Sequence, residues 1–148
     1  MTERENRPPE KKLRAAHWLP VIVWMGLIFT ASSFQLRFPP SGIFRFQDKL
    51  AHLFEFGVLG FLLARAAHLD FPGSRAHYWA CIIGAALYGG FDELHQFFVP
   101  GRSVQWSDFA ADAFGAFIFA WAWLAFKGED LFTRRGPEVK STTGDTRP

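Results

Sequence analysis

Apolar residues along this chain gather into four runs, and each approaches the roughly 20 residues that a helix needs to cross a bilayer. The runs lie at 17–34, 50–67, 76–98 and 107–126. The first holds no acid or base beyond His17, and Pro20 falls near its start, where backbone donors lack helical partners in any case. In the second run His52 and Glu55 occupy the first two turns and Arg65 stands near the end. The third is rich in small residues (Ala80, Gly84, Ala85, Ala86, Gly89, Gly90), and so is the fourth (Ala110, Ala111, Ala113, Gly115, Ala116). Such residues let helices approach closely in lipid, where packing replaces the hydrophobic drive. The pattern predicts an all-α polytopic membrane protein, with four transmembrane helices packed as a bundle over 16–127. Tails at 1–15 and 128–148 hold few apolar groups and are expected to be flexible.

Charge orients the spans. Of the 16 Lys and Arg residues, five lie in the amino-terminal tail, five from Lys127 onward, and Arg65 and Arg75 flank the connection between the second and third runs. Basic residues favour the cytoplasmic side, which predicts both termini in the cytoplasm and residence in a bacterial cytoplasmic membrane. Ala31-Ser32-Ser33 after a basic and then apolar stretch would also suit a cleaved signal peptide, but three further apolar runs follow. A formal net charge of +2, with no recognition motif, argues against nucleic acid as a partner. The lone cysteine, Cys81, excludes an intrachain disulfide and a cysteine-based zinc cluster.

This topology gathers the unusual polar groups at the outer face. Asp48, His52 and Glu55 follow i, i+4, i+7 spacing and share one face of the second helix. Glu93 and Gln96 close the third helix, while Asp108 and Asp112 open the fourth. Ionisable groups at membrane depth are costly, so a group of them suggests a polar site. His52, Glu93, Asp112, Asp48 and Glu55 are the candidate catalytic residues, as proton carriers or acid–base groups. Lys49, Gln96, Arg102 and Asp108 are candidate binding residues, Arg102 as a bidentate clamp for phosphate or carboxylate. Each has a plainer reading. His52 can be a structural donor, Arg102 can pair with Asp108, and Ser107 or Asp108 can cap the fourth helix. Asp92 and His95 are expected to be rotated away from Glu93 and Gln96.

The residues Asp48-Lys49-x-x-His52, then Tyr88-Gly89-x-x-Asp92-Glu93-x-x-Gln96-x-Phe98-Val99-Pro100-Gly101-Arg102, then Asp108, Asp112 and Gly115, resemble the VanZ-like family over about residues 18–125. Those are small multi-span bacterial membrane proteins, named after a protein linked to teicoplanin resistance. The resemblance implies envelope biology and, by analogy, glycopeptide tolerance. In that family the second acidic position of the fourth span is often Asn. Asp112 makes this chain more acidic there.

Three functional classes stay open. One is an enzyme acting on an envelope lipid or lipid-linked glycan, and a second is a membrane scaffold or binding protein whose polar cluster is structural. The third, an ion or proton transporter, is weaker because the acids gather at one leaflet. Membrane lipids or a lipid-linked envelope intermediate are the expected partners. No cofactor signature is present. A divalent metal would suit the oxygen and imidazole ligands, but it is not favoured, since the His-Glu-x-x-His zinc motif is absent.

Overall fold

The computed structural model describes residues 11–34, 42–102 and 104–132, and the regular structure of these residues is helical throughout. Four helices follow one another: α1 (Lys11–Ser33), α2 (Gly42–Asp70), α3 (Arg75–Phe97) and α4 (Trp106–Phe126). The first two begin ahead of their apolar runs, so basic or mixed sequence is wound into the same helices. Most of the two expected tails falls outside the described residues. Three helices contain stretches long and apolar enough to cross a membrane: Arg14–Ser33, Gln47–Asp70 and Trp106–Phe126. The third helix is not among them, because Arg75, His77, Asp92, Glu93, His95 and Gln96 dilute its apolar character.

The most extensive helix pair is α2 with α4. Two glycines, one on each helix, set how close it is. A Cβ on Gly60 would collide with the backbone carbonyl of Ala116, and a Cβ on Gly115 would collide with the carbonyl of Leu53. The backbones are therefore in direct contact at two levels, where dispersion and dipole contacts stand in for a hydrophobic drive. Around this seam Phe56, Leu59, Ala85 and Ala116 form one buried cluster with Val21 and Ile28 of α1. Toward the C-terminal ends of α2 and α4 a second cluster joins Ala64, Tyr78, Ile82, Ala120 and Leu124.

Polar ties fasten α1 to the rest. At one end Asp70 accepts from the Trp18 indole at 2.7 Å, and its other oxygen lies 2.8 Å from His17 Nδ1. Further along, Trp24 donates to the Glu55 carbonyl and Tyr88 to the Met25 carbonyl, at 2.9 and 2.8 Å. At the other end Ser33 Oγ lies 3.0 Å from His95 Nε2. Beyond α4, Leu131 is buried and its carbonyl accepts both Arg75 Nε and Nη2, at 3.0 and 2.8 Å. Outward faces are apolar: Leu19, Ile22 and Leu27 on α1, Ile83, Leu87, Phe91 and Leu94 along α3, and Phe98 at its C-cap are exposed.

Candidate functional site

Because α3 runs antiparallel to α2 and α4, the start of α2, the end of α3 and the start of α4 meet at one end of the bundle. The i, i+4 spacing on each helix then turns side chains inward. His52, Asp92, Glu93, Gln96, Asp108 and Asp112 are all buried, none more than 5% exposed. Apolar stripes face out while carboxylates face in, the reverse of a water-soluble helix.

The glycine seam sets the central pair. His52 precedes Leu53, whose carbonyl abuts Gly115, and Asp112 lies one turn before Gly115. That approach brings His52 Nδ1 to 2.9 Å from Asp112 Oδ1. Gly89 of α3 makes the remaining room, since a Cβ there would lie 2.9 Å from Asp112 Cβ and 3.0 Å from Oδ2. Nearer the rim, Lys49 Nζ donates to Asp108 Oδ1 and to Ser107 Oγ, both at 2.6 Å. The 99–106 connection is folded by a turn in which Gly101 adopts φ +84°, a left-handed conformation suited to glycine. From this connection the Gln105 backbone N–H donates to Glu93 Oε2 at 3.0 Å. Gln96 donates to Asp92 Oδ2 at 2.8 Å.

Several groups are left over. Among the described residues, Asp92 Oδ1, Glu93 Oε1, Asp112 Oδ2 and Arg102 Nε are buried without a hydrogen-bond partner. Buried polar atoms are normally satisfied, so such a concentration in one place calls for a proton, a water or a ligand. Ligand-capable atoms of His52, Glu93 and Asp112 lie within 4.8 Å of one another, as do those of Asp48, His52 and Asp108.

The structure thus unites most of the residues expected from sequence. Asp48 is only half-buried, 3.9 Å from Arg102 Nη1. Glu55 is half-buried, and its carboxylate forms no hydrogen bond among the described residues, although it feels the charges of His52, Asp92, Asp112 and Arg102. Two of the plainer readings turn out otherwise. Asp108 pairs with Lys49, not with Arg102, because α2 presents Lys49 directly to the start of α4. Neither Ser107 nor Asp108 caps α4: Gln105 is the N-cap, and no side chain bonds there. Asp92, expected to be rotated away, is buried and bonded to Gln96, its i+4 neighbour. That i, i+4 relation was the signal available for it, whereas nothing local announces the Gln105 backbone contact.

Two cavities adjoin this architecture. An apolar one of about 360 Å³ lies between α1, α2 and α3, with Met25, Leu59 and Tyr88 in its walls. A larger open groove of about 900 Å³ runs between α3 and α4, lined by Leu87, Phe91, Leu94, Trp106 and Phe109, with Glu93 and Gln105 as its polar members.

Three helices of membrane length, packed with a fourth around a cluster of carboxylates, an imidazole and two cations, define a multi-pass membrane protein with its polar groups gathered at one end. The chain belongs to the VanZ/LLP1 family, whose sequence profile matches residues 16–127. No curated protein and no solved structure matches it.

Proposed function

We propose that this VanZ-family protein crosses the bacterial cytoplasmic membrane four times, with both termini in the cytoplasm. Its outward end would bind the anionic headgroup of a membrane lipid or lipid-linked cell-wall intermediate. Support for α3 as the fourth span comes from its inverted amphipathicity. Ile83, Leu87, Phe91, Leu94 and Phe98 form an exposed stripe, while Asp92, Glu93 and Gln96 are buried. A helix of that kind is stable where its surroundings are apolar.

The observation that carries the binding proposal is the position of Glu93. It belongs both to the α3–α4 groove and to the polar cluster, so one elongated amphiphile could lay its chain along the groove with its headgroup at the cluster. Arg102, whose buried Nε lacks a partner among the described residues, is the anion-binding group, and Lys49, paired with Asp108, is the second cation of the cluster. Glycopeptide tolerance, teicoplanin included, is the expected phenotype if that intermediate is a cell-wall precursor.

The test expresses wild type, Glu93→Gln and Arg102→Lys in a susceptible host. It measures glycopeptide susceptibility and membrane abundance, and identifies co-purifying lipids by mass spectrometry. Loss of a specific lipid and of tolerance in the variants, at normal abundance, is expected. Arg102→Lys keeps the charge but loses the planar fork. Wild-type protein that brings down only bulk phospholipid and confers no tolerance would refute the proposal. Variants that lose abundance together with phenotype would favour the other reading, a scaffold whose polar cluster locks the helices, as the Lys49–Asp108 pair does.

A further inference from the structure

We infer that His52, Glu93 and Asp112 hold a divalent metal ion, zinc or manganese. The three residues come from three helices, and each is buried: His52 and Glu93 are 5% exposed and Asp112 is 0%. Their ligand-capable atoms lie within 4.8 Å of one another. Ligands around a tetrahedral zinc with bonds of roughly 2.0 Å sit roughly 3.3 Å apart, so modest side-chain rotation closes the set.

The second observation is the pair of orphan oxygens. Glu93 Oε2 takes the Gln105 backbone N–H, and Asp112 Oδ1 lies against His52 Nδ1, but Glu93 Oε1 and Asp112 Oδ2 have no partner among the described residues. Each carboxylate is thus fixed by one oxygen and leaves the other available, as metal-ligating carboxylates do when an outer-shell donor orients them.

Charge points the same way. Lys49 is committed to Asp108, and Arg102 reaches toward Asp48 at 3.9 Å. Glu93 and Asp112 then have His52 beside them as a group able to carry positive charge, one for two carboxylates, and buried uncompensated charge is strongly disfavoured. The rival set of Asp48, His52 and Asp108 is weaker: Asp108 Oδ1 already accepts Lys49 at 2.6 Å, and the Asp48 side chain is 41% exposed. One imidazole with two carboxylates suits zinc or manganese, and zinc should bind the more tightly. Absence of the His-Glu-x-x-His motif does not bear on this set, because its ligands come from separate helices and carry no local spacing signature.

The inference does not depend on the lipid proposal, although a bound cation would give the acidic chamber the positive charge that an anionic headgroup needs. The test uses the full chain in detergent micelles, stripped with a chelator and titrated with zinc chloride by calorimetry, with metal content read by mass spectrometry. One zinc per chain is expected, with affinity falling more than about tenfold in Glu93→Gln and in His52→Asn. Zinc should also raise the melting temperature of the wild type, a readout that survives if either variant folds poorly. Three results would each overturn the assignment: a wild type that takes up no zinc and shows no thermal shift, a Glu93→Gln variant that binds as tightly as wild type, or an Asp48→Asn variant that loses more affinity than Glu93→Gln. No lipid enters the assay, so failure of the lipid proposal leaves its outcome unchanged.

Discussion

The α2–α4 seam predicts that one methyl group should both loosen the fold and spread the polar site. In Gly115→Ala the new Cβ meets the Leu53 carbonyl, which is backbone and cannot rotate away, so α2 and α4 must separate. Alanine in a helix interior would by itself stabilise by about 0.5–1 kcal/mol. Overpacking of a tight contact costs about 1–3 kcal/mol, and a rigid backbone neighbour places this site at the upper end. The net expectation is destabilisation of about 2 kcal/mol. Gly84→Ala provides the internal reference, since a Cβ at 84 meets nothing within 4 Å, and it should be neutral or slightly stabilising. Reversible unfolding in mixed detergent–SDS micelles, followed by circular dichroism, gives both values, and their difference should be about 2–3 kcal/mol. Because Leu53 adjoins His52 and Gly115 lies one turn from Asp112, the same variant should weaken whatever the cluster binds. Equal stabilities for the two variants would refute the claim that this glycine sets the helix separation.

Two other polar contacts give comparable tests. Lys49→Met leaves Asp108, whose side chain is 3% exposed, without its cation. The loss should be about 2–3 kcal/mol in the same unfolding assay, below the fully buried case because the Lys49 side chain is 34% exposed. Adding Asp108→Asn should recover most of it, and a double variant no more stable than the single one would argue against the pairing. At the opposite end, Asp70→Leu leaves the Trp18 indole N–H and the His17 ring without their shared acceptor. It should cost about 1–3 kcal/mol and increase protease sensitivity near the start of α1. An unchanged melting temperature would count against Asp70 as the tie for α1.

The helices and the gathering of polar groups were legible in the sequence because both rest on periodicity. Apolar runs of membrane length give helices, and i, i+4 spacing puts Asp48 with His52 and Asp108 with Asp112. Partner choice was not legible, because it depends on how deep and at what angle the helices cross. Lys49 and Arg102 each have the charge for Asp108, and only the glycine contacts of α2 with α4 place Lys49 there. The Glu93–Gln105 bond is similarly hidden, since its donor is a backbone N–H that any residue could supply. Capping preference failed at α4 for a physical reason: the helix starts at Trp106 with Gln105 as its N-cap, which puts Asp108 inside the first turn, where its carboxylate takes a 2.6 Å charge-assisted bond from Lys49.

Small residues and buried acids are usually treated as separate features of a membrane helix, but here each constrains the other. Gly115 and Gly60 let two backbones touch, and that contact holds the His52–Asp112 pair away from competing water. In so dry a place a half-satisfied carboxylate is costly, and its cost rises as the packing tightens. Glu93 Oε1 and Asp112 Oδ2 therefore need a proton or a ligand more urgently than the same atoms would at an open rim. Gly89 fits this reasoning. Its missing Cβ leaves the space that Asp112 Oδ2 occupies, so α3 yields volume to this carboxylate just as α2 and α4 yield it to each other. A purely structural histidine–aspartate pair would be stable with one hydrogen bond and an apolar lid. The second carboxylate and the unfilled oxygens go beyond that, and they are what the proposed binding site would use.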